Sequence, residues 1–126
     1  MNIFVVDSDP KTSAKQLCDK HVVKMILESA QMLCSAFPKG DAPYKRAFYN
    51  HPCTKWARKS QQNYEWLLHH AAALCKEYQL RYGKRHKSWD AIWWCYNNYE
   101  KLDLPSIGLT EFAQAMPEQY KNECAV

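Results

Sequence analysis

The sequence predicts an all-α fold: a compact single-domain helical bundle over residues 1–126, with a short extended N-terminal arm and a long central helix. Three observations carry this prediction. Apolar residues recur at helical spacing in two long runs, over 14–37 and 53–82. Proline follows a capping residue at Asp9-Pro10 and again at Asn50-His51-Pro52, and stop signals stand at Pro38, Gly40 and Gly83. The one strand-like run, Ile3-Phe4-Val5-Val6, is too brief to build a sheet alone.

The first helical pattern starts at the Asp9 cap and runs through Ala14, Leu17, Cys18, Met25, Ile26 and Leu33 to Phe37. A shorter segment, 43–49, carries Lys45 and Arg46. From Pro52 the positions Cys53, Trp56, Tyr64, Leu67, Ala71, Leu74, Cys75, Tyr78 and Tyr82 keep helical spacing as far as Gly83, which predicts one central helix of roughly 45 Å at 1.5 Å per residue. Ser60 and Asn63 interrupt its buried stripe. Asn63 is read either as a buried hydrogen bond between helices or as a ligand contact. Ser88 caps a third helix in which Trp89, Ile92, Trp93, Tyr96 and Tyr99 share a core-facing stripe, and Trp94 stands on another side where it can reach a ligand's ring. Beyond Leu104-Pro105 the pattern degrades into short pieces around Phe112 and Pro117. No repeat or low-complexity tract occurs.

Composition limits the partners. With 47% hydrophobic and 13% aromatic residues, 126 residues suffice for a substantial core. The net charge of +4 and pI near 8.7 favour anionic partners. No apolar run approaches the roughly 20 residues of a membrane span, and the first residues lack the features of a signal peptide, so no membrane partner and a cytoplasmic location are expected. Cys18, Cys34, Cys53, Cys75, Cys95 and Cys124 are widely spaced with no Cys-x-x-Cys pair, which predicts reduced structural thiols and no metal site. A serine-hydrolase elbow, a P-loop, a Gly-x-Gly-x-x-Gly turn and a His-Glu-x-x-His motif are absent, and no cofactor is expected.

A carboxylate, an imidazole, cations and aromatics remain to carry chemistry. His21 and Glu28, seven positions apart, fall within roughly 20° of one another around the helix, beside the apolar stripe of Val22, Met25, Ile26, Ser29 and Leu33 and apart from Lys24 and Gln31. Glu28 is either a surface carboxylate paired with Lys24 or a general acid or base that can also hold a developing cation. His21, Lys24 and Glu28 are expected to line a ligand pocket whichever holds. Arg81, Lys84, Arg85 and Lys87 put four formal positive charges into seven residues, which either complement a helix C-terminus or contact phosphate.

The order of an N-terminal arm, a helix carrying Asp19-Lys20-His21 with Glu28 seven residues after the histidine, and a long proline-started helix resembles the pyrimidine-dimer DNA glycosylases of the phage endonuclease V type, over roughly residues 2–83. Asp19 and His21 match that family's motif, and Glu28 falls where the family keeps its catalytic glutamate. The resemblance implies an all-helical fold and a lyase whose N-terminal amine attacks a glycosidic carbon while the glutamate assists. Three features depart from the pattern. Asn2 disfavours removal of the initiator methionine, so Met1 is expected to carry the amine where the family has a threonine. Leu27 and Gln31 stand where the family places two phosphate-gripping arginines, and the chain ends at Cys124-Ala125-Val126 without an aromatic segment. Asn50-His51-Pro52, Arg81-Tyr82-Gly83-Lys84 and Ala115-Met116-Pro117 resemble short proteins of tailed phages, which implies a viral source and the host cytoplasm.

Two function classes follow. In the first, a nucleic-acid glycosylase or lyase uses Glu28, His21 and Met1, with Lys24, Gln31, Asn63, Arg81, Lys84, Arg85 and Trp94 contacting DNA. In the second, a viral counter-defence protein binds or cleaves a small phosphorylated signalling nucleotide in the same basic, aromatic pocket. A helical interaction protein without a ligand is the third. A homo-oligomer is compatible with each.

Overall fold

The computed structural model describes residues 9–16 and 19–111 of the chain. Met1, the arm at 3–6 and the pieces around Phe112 and Pro117 lie outside the described residues. Five α-helices follow one another: α1 (Pro10–Gln16), α2 (Asp19–Ser35), α3 (Pro52–Lys59), α4 (Gln61–Tyr82) and α5 (Trp89–Asn98), with a 3-10 turn over Tyr99–Leu102. Among the described residues there is no strand, and the fold is all-α.

Local chemistry explains most of the boundaries. Asp9 Oδ2 accepts from both the backbone N–H and the hydroxyl of Thr12 at 2.8 Å, and these bonds hold its carboxyl below the ordinary range. Of the expected run over 9–37 the described residues form α1 and α2, with Leu17 and Cys18 between them outside the described residues. At the far end of α4, Gly83 adopts the left-handed conformation at φ 69° and donates its N–H to Gln79 O at 2.8 Å.

The predicted helix over 52–82 is two helices, α3 and α4. Ser60 is extended, at φ −147° and ψ 158°, and ends α3 while starting α4. Its hydroxyl oxygen accepts from Asn63 N at 2.9 Å and donates to Gly108 O at 2.9 Å, and the N–H of Gln61 is taken by Pro105 O. The carbonyls of a distant segment therefore replace the helical bonds that Ser60 gives up. Apolar spacing continues across the break because α3 and α4 press the same kind of stripe into one core.

At 22 residues, α4 still spans about 33 Å and packs on α1, α2, α3 and α5. Tyr64, Leu67, Ala71 and Leu74 of α4 are fully buried, against Val22, Met25, Ile26 and Leu33 of α2. The phenol of Tyr64 donates to Leu33 O at 2.7 Å, so the two long helices are tied by a bond as well as by packing. Burial pushes that phenol well above its ordinary pKa.

Two expectations for α5 are corrected. Ser88 does not cap it with its side chain; the hydroxyl pairs with Tyr44 Oη at 2.9 Å. The aromatic stripe is core only in part, for Ile92 is buried while Trp93 and Tyr96 are 52% and 47% exposed. Trp93 stacks on Trp89 at 6.0 Å and on Tyr96 at 5.4 Å, a row of near-parallel rings on the surface. Cys34, Cys53, Cys75 and Cys95 are free thiols within the core. Burial pushes the Cys75 thiol up to about 12. Among the described residues no group of three or more His, Cys, Asp or Glu could hold a metal, and no helix is long and apolar enough to cross a membrane.

Candidate functional site

Helix α2 buries one broad side and leaves a strip open. Val22, Met25, Ile26, Ala30, Met32 and Leu33 are sealed, while Lys24 is exposed and Val23 and Leu27 are 39% and 36% exposed. His21, Glu28 and Gln31 are half-buried. At 100° per residue, Glu28 and Ser35 fall about 20° apart on the same edge of α2, two turns from one another. Val23 lies about 140° from Glu28, on the other edge.

Each edge is bordered by a loop. On the Glu28 side, Ser35 Oγ donates to Ala47 O and accepts from Ala47 N, both at 3.1 Å, which fixes the 44–51 loop along that edge. The single hydroxyl proton of Ser35 is shared between Ala47 O and Gln31 O, the latter at 2.6 Å, a backbone acceptor typical for a serine in a last helical turn. The loop ends at His51, whose Nδ1 accepts from Cys53 N at 3.1 Å and so caps α3. In the neutral ring the hydrogen therefore sits on Nε2. Partial burial lowers the His51 pKa, and the negative charge of Glu28 works against that shift, which places this imidazole within the field of the carboxylate.

On the Val23 side runs the loop that follows α4. His86 is buried there; its Nδ1 accepts from Ser88 N at 3.0 Å, and the ring packs edge-on to Tyr78 at 4.9 Å. Burial lowers its pKa, opposed by a hydrogen bond to the backbone of Val23. His86 thus sets the basic run along the Val23 side of α2, and the strip carrying Lys24 and Leu27 lies between it and the Glu28 edge.

The remaining site expectations divide. Arg81 pairs with Glu77 at 3.3 Å along α4. Arg85 pairs with Asp90, while Lys84 is exposed. Trp94 packs edge-on against Phe37 at 4.8 Å and lines a cleft of about 440 Å³ with Asp41, Asn98 and Lys101, apart from α2's open strip. Asn63 follows the first of its two readings, a buried hydrogen bond between helices. It is wholly buried, its Nδ2 donates to Trp56 O at 2.9 Å and to Thr110 Oγ1 at 2.8 Å, and its Oδ1 accepts from Thr110 N at 2.9 Å. Both amide hydrogens are spent within the chain and Oδ1 is turned onto Thr110, so this side chain acts as a latch.

The sequence assigns no site role to His51, which the fold sets at the end of the loop bordering the Glu28 edge. The Asn50-His51-Pro52 stretch was legible as a helix start, but nothing local said that it would border Glu28.

The family model for pyrimidine dimer DNA glycosylase matches residues 1–91. The chain belongs to this family. Neither the curated proteins nor the solved structures hold a match. Membership among the pyrimidine dimer DNA glycosylases supports a DNA glycosylase-like function, with DNA as the partner. The matched stretch contains α1 to α4 and both loops that border the open strip of α2.

Proposed function

We propose that this protein is a DNA glycosylase and lyase acting on damaged or modified nucleotides, with Glu28 as its central carboxylate. The observation that supports this most directly is the placing of Glu28: half-buried on the edge of α2 along which the 44–51 loop is latched, and next to a strip open to a large ligand. On this reading the N-terminal amine, carried by Met1 outside the described residues, attacks C1′ of the damaged nucleotide. The C1′–base bond breaks, the base leaves with the electron pair, and the amine and sugar become an imine. Glu28 stabilises the developing positive charge at C1′ and handles protons during ring opening, and His21 orients the sugar. Lys24 holds a flanking phosphate. We place the protein in tailed-phage infection, acting in the host cytoplasm.

The test uses the amine. Borohydride reduction in the presence of abasic DNA should trap a covalent adduct at the N-terminus of the wild-type protein, and Glu28→Gln should lose strand cleavage. No adduct, together with cleavage that Glu28→Gln leaves unchanged, removes the reading.

One observation favours a second reading, a viral counter-defence protein that sequesters or cleaves a small signalling nucleotide. The open strip of α2 carries Leu27 and Gln31 where the endonuclease V pattern has arginines, which weakens the grip of α2 on a duplex. Native mass spectrometry of gently purified protein separates the two, since a sequestering protein carries its nucleotide into the spectrum.

A further inference from the structure

We propose that Arg46, Tyr49 and Arg58 form a clamp for the DNA backbone beside Glu28, and that Phe48 is the apolar tip that enters the duplex next to it. This rests on the DNA-directed reading above.

The cluster is built around one ring. The guanidinium carbons of Arg46 and Arg58 lie 4.3 Å and 3.8 Å from the ring centre of Tyr49. Each arginine is oriented by a backbone carbonyl: Arg46 Nε donates to Phe37 O at 3.1 Å, and Arg58 Nη1 donates to Tyr49 O at 2.7 Å. Neither has a carboxylate partner among the described residues, whereas Arg81 and Arg85 each do. A guanidinium has five N–H donors, so most of the donors of both are unspent. The ring face offsets part of the repulsion between two like charges held on one side chain, and an anion would offset the rest. Guanidiniums that are planar, fixed and fork-shaped suit phosphate oxygens better than any flexible ammonium would.

Location makes the cluster part of the site. The loop that carries Arg46 and Tyr49 is latched by Ala47 to Ser35, on the same edge of α2 as Glu28, and it leads directly into His51. Arg58 reaches the same ring from the last turn of α3. On this inference a strand whose damaged sugar sits at Glu28 continues along that edge of α2, past the loop latched two turns further on.

Phe48 supplies an independent observation. It has φ 53°, a backbone region that a bulky side chain adopts only under constraint, and its side chain is 63% exposed. The Ala47 latch and the bond from His51 N to Phe48 O at 3.0 Å hold it there. The chain thus holds strained backbone that presents an apolar ring to solvent, at the residue next to the Tyr49 ring that carries both cations. Apolar side chains placed in this way can unstack a base step, and an enzyme that must reach C1′ needs that step opened.

Binding of an undamaged duplex by the full chain, followed by anisotropy over a potassium chloride series, tests the clamp without requiring any reaction. Each phosphate contact adds about one to the slope of log affinity against log salt. Arg46→Gln with Arg58→Gln should lower that slope by about two, with affinity falling at least tenfold at low salt. Phe48→Ala should weaken binding several-fold and leave the slope unchanged. Unchanged slope and affinity in a folded double variant overturns the clamp, and so does a wild-type protein that binds no duplex. Should the glutamine pair not fold, Arg46→Lys with Arg58→Lys carries the test. Retained slope with affinity lost several-fold supports a fork-shaped contact, and wild-type affinity overturns it. Failure of borohydride trapping with these duplex results intact rejects the lyase chemistry and leaves the clamp standing.

Discussion

Thr110 and Asn63 form a closed pair across 47 residues of sequence: the backbone N–H of Thr110 donates to Asn63 Oδ1 at 2.9 Å, and Asn63 Nδ2 donates to the Thr110 hydroxyl at 2.8 Å. Asn63 Nδ2 also satisfies the carbonyl of Trp56, at a residue that is itself 95% buried or more. Asn63→Ala removes all three bonds and leaves buried polar groups without partners, at a cost of roughly 1–3 kcal/mol. Urea unfolding should report that loss. A change below about 0.5 kcal/mol would mean that water replaces the amide freely and that the pair does not hold 105–110 in place.

Stability should fall on mild acidification. Burial depresses the pKa of His86 and of His51 below the ordinary 6.5, so between 6.5 and the lower folded values the unfolded chain binds more protons than the folded one. The stability these neutral rings contribute is present above pH 6.5 and is lost as pH falls through their folded pKa values. Thermal unfolding between about pH 7.5 and about pH 5.5 should show a decline in Tm that His86→Gln makes shallower. An unchanged pH profile in that variant would place the titration elsewhere.

Lys24 is exposed and His21 is half-buried, both on or beside the open strip. Alanine at either position should weaken abasic-DNA binding by about 1 kcal/mol, roughly fivefold, with little change in Tm because such positions carry small stability terms. Intact binding with a large drop in Tm would make them parts of a structural network instead.

What the sequence disclosed depended on how local the cause was. The Pro52 start, the Gly83 stop and the apolar faces of α2 and α4 are written within a few residues of where they act, and each was readable. The break at Ser60 was not, because the groups that stabilise it are carbonyls at 105 and 108. Asn63 was noticed as a polar residue within an apolar stripe, but its choice between latch and ligand contact was decided by Thr110. Trp93 and Tyr96 share a helical face with Ile92 in the sequence, yet the core ends before it reaches them. Of the candidate site, the common edge of α2 shared by His21 and Glu28 was legible from their spacing. Arg46, Tyr49 and Arg58 were not, since a loop with a left-handed phenylalanine and a residue on the next helix must fold before the three meet.

The recognisable stretch and the folding unit do not coincide. The family model stops at 91, but Ile92 and Cys95 are sealed in the core, and 105–110 close the gap between α3 and α4. Much of that closure is made through main-chain groups: the carbonyls of Pro105, Gly108 and Thr110 and the N–H of Thr110 take Gln61, Ser60, Trp56 and Asn63 in turn. Main-chain groups are the same whatever side chain they carry, so this closure depends on the path of the segment more than on most of its residue types, with the left-handed Gly108 and the Thr110 hydroxyl as exceptions. A graft or a minimal domain cut at residue 91 would sever the strap that holds the start of α4 to the end of α3.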